Sequence, residues 1–494
     1  MSEDTSTDIK IFALTDCHQE ARRLACLFNG IIKRSAPTGK GSLICDAGDL
    51  FKGIYDPTLC IHAYQQLKKQ LPQAEIVVAL GNNDFGFTAK QFNFLQDTSL
   101  LFHEAGIHLL CANLTDLQSG TCPTWIKPYV VLNINGKKIL LISFCINCIN
   151  IKKYGLQLTS VPETFQILAP TIKKLKPDCL IVLNHDLLPS TLAIYETGKI
   201  LGIQPDLIIG GHEHSFVDND DHRKIYYPHA FSRNMLCFSL NIDKPENSLK
   251  LEETVEYRQE QIMDSFVTEL NEYENLRGLN EPIAKSTLNL ERHYSQPGAL
   301  GTFVADLMKD TAHADIGMIS TGFMTHALRY EKDKVLTRYN LERAFSASIP
   351  LQAVYLNADE LKSVLANALK FHFSANSSNT RFLQCSRNLT VVCTRSANNT
   401  ALIEQILIDD IPLLNAQGNA LDAHKKFRCA VDPFIASGEQ GFTAMQKNEK
   451  ENIYKNNNLV MINNLFVEGV KAAESKYLPG SPYPSFKIIE TSHS

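Results

Sequence analysis

The sequence has no long run of lysine and arginine, and no apolar stretch approaching the roughly 20 residues that a membrane-spanning helix needs. With a formal net charge of -5 over 494 residues, the first absence leaves no electrostatic footprint for a nucleic acid polymer or an anionic membrane. The second argues against a membrane span. The opening residues, MSEDTSTDIK, lack the basic start and apolar core of a secretory signal. The expectation is therefore a protein made in the cytoplasm, although a specialised secretion route is compatible with the same absence. The segment Thr38-Gly39-Lys40-Gly41-Ser42 lacks the first glycine of a phosphate loop and is not read as one. No second pair of cysteines stands at zinc-ribbon distance from Cys145 and Cys148. Thirteen cysteines, an odd number, are scattered mostly through apolar runs, as at Cys45, Cys111, Cys179 and Cys237, which predicts buried free thiols in a reducing compartment.

What is present is a composition of 44% apolar and 20% charged residues, that of a soluble globular protein, on a chain longer than one hydrophobic core usually serves. Two domains are expected. From residue 9 to about 240, apolar runs (IKIFAL, SLIC, EIVVAL, HLLCA, KILLISF, DCLIVL, DLIIG, LCFSL) alternate with helix-like stretches. Strands so uniformly apolar suggest an α/β domain whose sheet is buried on both faces. In residues 256–280, Ile262, Phe266, Leu270, Tyr273 and Leu276 fall on one helical stripe that Gly278 follows. This predicts either a connecting helix or an ordinary surface helix. Residues 286–494 mix helices (GALGTFVADLMKDTAHA, NADELKSVLANALKF) with short strands (LTVVC, QILID, FRCAVD), an α+β texture. The tract SANSSNT at 374–380 reads as a loop, and the last dozen residues as a packed or frayed tail.

The chemistry lies where the first-half strands stop. IFALT ends at Asp16-Cys17-His18, SLICDAG at Asp49, EIVVALG at Asn82, DCLIVLN at His185 and DLIIGG at His212-Glu213-His214. Strand ends of an open α/β sheet converge on the edge where ligands bind. Any one of these residues alone is a turn residue or a helix cap. Together they bring four imidazoles, two carboxylates and one amide, without a thiolate, to one place. That donor set suits two borderline divalent cations such as Mn, Zn, Fe or Co.

The series Asp16-x-His18, Gly48-Asp49, Gly81-Asn82-Asn83-Asp84, Asn184-His185 and Gly211-His212-Glu213-His214 resembles the calcineurin-like metallophosphoesterases. The second half, through GALGTFVADLM, DIGMISTGF, LNADELKSVL and FIASGEQGF, resembles the C-terminal domain of the 5'-nucleotidase family among them. The resemblance implies a four-layer metallophosphoesterase sandwich over residues 1–255, a connecting helix or linker over 256–285, and an α+β 5'-nucleotidase-like substrate domain over 286–494. It also implies Asp16, His18, Asp49 and His214 on one metal and Asp49, Asn82, His185 and His212 on the other. Asp49 would bridge two cations about 3.5–4 Å apart, with hydroxide attacking a small-molecule phosphate ester in line.

The sequence departs from that family at positions that matter. Asn83 stands where the family has a catalytic His, and Gly86 where the family has the Asp that holds it. An amide donates a hydrogen bond but cannot transfer a proton. In the phosphate-gripping turn, Ser320 to Thr325 replace an Asn-Gly-Gly-rich segment, with Thr325 at the position of an Arg. Arg329 is either a substitute cation or a solvated helix residue. Of the two rings that clamp the base in the family, one is matched by Phe434 and the other falls at Ala347, with Phe345 two residues away. Gln440 replaces the acidic residue of a Gly-Gly-Asp-Gly turn. The expectation is a 5'-nucleotidase-like phosphohydrolase with a rewritten pocket. The alternatives are a phosphodiesterase or pyrophosphohydrolase, motivated by Asn83, and a catalytically silent metal-binding scaffold or effector.

Overall fold

The computed structural model describes residues 8–86, 89–147, 151–214, 222–243, 248–285, 288–289, 293, 295–324, 335–345, 348–372, 382–395, 401–438, 441–473, 481–482 and 485–491. The chain forms two compact units, Met1–Tyr273 and Glu274–Ser494.

The first unit opens with β1 (Ile9–Leu14), α1 (Ala21–Arg34), β2 (Ser42–Asp46), α2 (Pro57–Gln70), β3 (Glu75–Ala79), α3 (Ala89–Glu104) and β4 (His108–Leu110). These four strands pair in parallel, each joined to the next across a helix. Next come β5 (Leu114–Asp116), β6 (Tyr129–Ile134), β7 (Lys137–Cys145), β8 (Leu156–Leu158), α4 (Val161–Leu175), β9 (Cys179–His185), α5 (Leu188–Leu201), β10 (Leu207–Gly210) and β11 (Ile225–Tyr226). The long strands β12 (Asn234–Asn241) and β13 (Ser248–Glu256), with α6 (Asp264–Arg277), follow them.

One sheet has the order β13-β12-β1-β2-β3-β4 and a second the order β11-β10-β9-β7-β6. The apolar runs, which by themselves suggest a sheet buried on both faces, are divided between two sheets, in agreement with the four-layer sandwich that the family resemblance implies. The reason is the period of two along each strand. Ile11, Cys45, Val77, Ile181 and Ile209 meet in a core between the sheets. On the second sheet, Leu180, Val182 and Ile208 point the other way, against Phe165 of α4 and Ile194 of α5. A strand buried by a sheet on one face and a helix on the other reads as continuously apolar, as does one between two helix layers.

In α6 the buried stripe is Phe266, Leu270 and Glu274, with buried Met263 just before the helix, while Leu276 is 87% exposed. The predicted stripe was therefore misplaced at both ends: Ile262 lies outside the helix and is only partly covered.

The second unit contains a five-stranded sheet that includes Ile316–Ser320, Gln352–Asn357 and Lys426–Val431, and a four-stranded one that includes Leu389–Arg395 and Ala401–Ile408. The predicted helices appear as Ala299–Thr311 and Ala358–His372. Of the two expectations for the tail, the packed one holds: Lys487–Thr491 is a strand that pairs in parallel with Thr390–Thr394. Its Ile488 packs against the core that holds Val391 and Cys393. The tract at 374–380 and Cys148 lie outside the described residues.

Candidate metal centre

The seven predicted ligands follow strands of both sheets: Asp16 and His18 follow β1, Asp49 follows β2, Asn82 follows β3, His185 ends β9, and His212 and His214 follow β10. Five of them, Asp16, His18, Asp49, His212 and His214, adopt positive φ, between 48° and 77°. Each such residue outside glycine costs on the order of 1–3 kcal/mol, and strained backbone of this kind clusters at functional sites.

Potential ligand atoms of Asp16, His18, Asp49 and His214 lie within 4.8 Å of one another. His18 Nε2 and His214 Nε2 are 2.8 Å apart, and Asp16 Oδ1 lies 3.1 Å from His214 Nε2. Asp49 Oδ2 is 3.7 Å from His18 Nε2 and 3.3 Å from His185 Nε2, so this carboxylate stands between the two. On the His185 side, His212 Nδ1 and Asn82 Oδ1 are 2.9 Å apart. The rings of His185 and His212 meet edge to face at 5.4 Å.

Surrounding groups fix these side chains. His185 Nδ1 lies 2.9 Å from the Ala47 carbonyl, which holds the ring with Nε2 facing Asp49. Thr15 Oγ1 and the His212 N–H donate to Asp16 Oδ2, at 2.6 and 3.0 Å. Asp84 accepts from the N–H groups of Asp49, Phe51 and Gly81, which ties the turn after β2 to the turn after β3. The approach is close enough that a Cβ on Gly81 would fall 2.1 Å from Asp49 Oδ1. Phe231 lies tilted against His18 at 5.1 Å and edge to face with His214 at 5.2 Å, and its N–H donates to the Asp16 carbonyl. Sequence reasoning missed Phe231, which sits in no periodic run. It also passed over Asp84, which reads as a helix-capping residue.

Burial alone would neutralise Asp16 and Asp49, yet the neighbouring imidazoles hold both carboxyls below the usual range. Burial likewise disfavours charge on His185, but Asp49 and Asp16 push it up to about 10. His212 goes the other way: burial and the charge of His185 bring it down to about 4, so its ring is neutral at pH 7. Burial, then the charge of Asp49, raises Asp84 to about 7.

The donor set fits divalent cations. Nε2 of His185, which faces Asp49, is buried without a hydrogen-bond partner, a condition that costs about 1–3 kcal/mol unless something occupies the site. Carboxylates and imidazoles without a thiolate suit Mn, Zn, Fe or Co.

Asn83 is anchored to the same cluster: its N–H donates to Asp49 Oδ1 at 2.8 Å and its Nδ2 to Asp49 Oδ2 at 2.5 Å. Lys52 Nζ donates to Asn83 Oδ1 at 2.8 Å.

In the second unit, Ser320 is buried and its Oγ accepts from the Gly322 N–H, capping a short turn. Phe434 is half-buried and meets Phe323 edge to face at 6.0 Å. Phe345 is only 1% exposed and packs on Phe466, so it belongs to the core and cannot restore the missing ring. Thr325, Arg329, Ala347 and Gln440 lie outside the described residues.

Comparison with known proteins agrees with this architecture. Residues 9–216 match the family model of the calcineurin-like phosphoesterases, and residues 279–447 that of the 5'-nucleotidase C-terminal domain. The chain is similar to an apyrase of Aedes albopictus, 22% identical over 454 residues that cover 83% of this chain and 77% of the apyrase. Among solved structures, a 5'-nucleotidase precursor of Thermus thermophilus superposes with a TM-score of 0.72 at 16% identity, covering 99% of this chain and 100% of that one. A sulfate thiohydrolase of the same organism has a TM-score of 0.68 at 14% identity, over 96% of this chain and 84% of the other. These likenesses establish the fold, and their different names show that the fold alone does not select a substrate. Calcineurin-like phosphoesterases bind divalent metals, and among the described residues no helix is long and apolar enough to cross a membrane.

Proposed function

We propose that this chain, in which a calcineurin-like phosphoesterase domain precedes a 5'-nucleotidase C-terminal domain, is a metal-dependent hydrolase of a nucleotide or related phosphate ester. The observation that carries this reading is the convergence of Asp16, His18, Asp49 and His214, with ligand atoms within 4.8 Å of one another. Those four would hold one cation, and Asp49, Asn82, His185 and His212 the other. When bound, two such cations lower the pKa of a coordinated water and offset the charge of a phosphoryl group.

The protein's own groups prepare for that. Asp16 and Asp49 stay ionised, and the neutral ring of His212 keeps a lone pair available at pH 7. Asn83 offers donors beside Asp49. Within the second unit, half-buried Phe434 is a ring that could stack on a flat group. A preference for diesters or pyrophosphates is the second reading, because Asn83 cannot protonate a poor leaving group.

The test is hydrolysis by wild type and Asp49→Ala, supplied with Mn, of nucleoside monophosphates, a dinucleotide pyrophosphate, a cyclic nucleotide and a nitrophenyl diester. Activity lost in the variant supports the hydrolase, and the preferred ester decides between the readings. Wild type that holds metal yet hydrolyses none of them overturns the reading in favour of a silent scaffold.

A further inference from the structure

Lys52 lies in the turn after β2, three residues beyond Asp49. Its side chain is half-buried and its backbone adopts φ 71°. The turn is held from two sides. The Phe51 N–H donates to Asp84 Oδ1 at 2.9 Å, and the Gly53 N–H donates to Gln19 Oε1 at 2.7 Å. Packing leaves no slack, since a Cβ on Gly53 would fall 1.8 Å from the His18 carbonyl oxygen. So fixed, the ammonium donates to Asn83 Oδ1, while Asn83 Nδ2 donates to Asp49 Oδ2.

A lysine pinned beside buried carboxylates has two physical uses. It can balance their charge, or it can bind an anion brought to the cations those carboxylates hold. Balancing is a poor use once cations arrive, because the same ammonium then repels them. An anion removes that conflict, being drawn both to the cations and to the ammonium.

Resting on the hydrolase reading, we propose that Lys52 and Asn83 act as a pair that binds a non-bridging oxygen of the substrate's phosphoryl group. Asn83 supplies an amide donor and orients the lysine through its Oδ1, and Lys52 supplies the charge. The pair occupies the place of the imidazole that the sequence lacks, but it binds and does not transfer a proton. No covalent step is assigned to it.

The experiment measures inorganic phosphate binding to the Mn-loaded full chain by calorimetry, alongside Mn content, for wild type, Lys52→Gln, Lys52→Arg and Asp49→Ala. Lys52→Gln is expected to weaken phosphate binding about tenfold or more, the loss of one charge-assisted contact, with Mn held as well as in wild type or better. Lys52→Arg is expected to recover much of the affinity, which a misfolded turn would not allow. Phosphate affinity in Lys52→Gln within about twofold of wild type, roughly 0.4 kcal/mol, overturns this inference alone. So does weaker binding of Mn itself in Lys52→Gln, since the lysine would then serve the cluster and not the anion. If wild type binds phosphate no better than Asp49→Ala, the hydrolase reading fails and this inference fails with it.

Discussion

His18 and His214 face each other Nε2 to Nε2 at 2.8 Å. Two lone pairs cannot be presented at that distance, so without a cation one ring must keep its proton on that nitrogen and donate it. A cation would take both lone pairs, so the proton would move to the other nitrogen of that ring or, if the ring was charged, be released. Mn or Zn at about 100 times its dissociation constant should stabilise the chain by about 2.7 kcal/mol. Thermal unfolding with metal, with chelator and in His214→Ala checks this. An unfolding midpoint that metal does not move would argue against the centre.

Gly211 precedes His212 where no side chain fits. A Cβ there would fall 2.4 Å from Thr15 Oγ1 and 2.7 Å from His185 Nδ1. Gly211→Ala should therefore turn His185 away from the Ala47 carbonyl and weaken metal binding by about tenfold or more, in line with the loss of an orienting partner. Titration with Mn decides it, and wild-type affinity in the variant would show that the turn yields easily.

Asn83→Ala removes the donor to Asp49 Oδ2 and the acceptor of Lys52. If the amide acts on the phosphoryl group, kcat/KM should fall by about 10²–10³, the usual effect of losing one preorganised donor. Asn83→His should shift preference toward esters with poor leaving groups. The ratio of rates on an alkyl and a nitrophenyl phosphate reads that shift, and an unchanged ratio would place residue 83 away from the leaving group.

Far from the centre, Glu260 accepts from Lys33 Nζ at 2.8 Å and from Arg34 Nη1 at 2.7 Å. Burial opposes its ionisation, but these cations hold the carboxyl below its ordinary 4.5. Because the folded value is the lower one, the contribution is fully present above about pH 4.5 and is lost as pH falls through the folded value. Glu260→Gln should cost about 1–3 kcal/mol at neutral pH. Chemical denaturation at pH 7 and at pH 3 should show the gap between variant and wild type closing in acid.

The ligand-bearing strands were readable because a continuously apolar run that ends in Asp, Asn or His is a local signal, visible without any partner strand. That these strands belong to two sheets was not readable from the runs. A strand sees only two apolar faces, whichever kind of layer covers them. Phe231 and Lys52 escaped for a related reason: each acts through residues distant in sequence, His18 and His214 for the ring and Asn83 for the lysine. The predicted stripe differs from the packed one because Met263, just before α6, and Phe266 and Leu270 within it carry the packing while Leu276 faces outward. Propensity cannot distinguish a leucine that is covered from one that is not.

The left-handed backbone at Asp16, His18, Asp49, His212 and His214 has a consequence for anyone wishing to transplant this centre. Copying seven side chains onto another scaffold would carry over the chemistry's nouns without its grammar, because the aim of five of those donors is written in a left-handed main chain. The smallest portable piece is the set of bends together with the two stacked sheets that brace them.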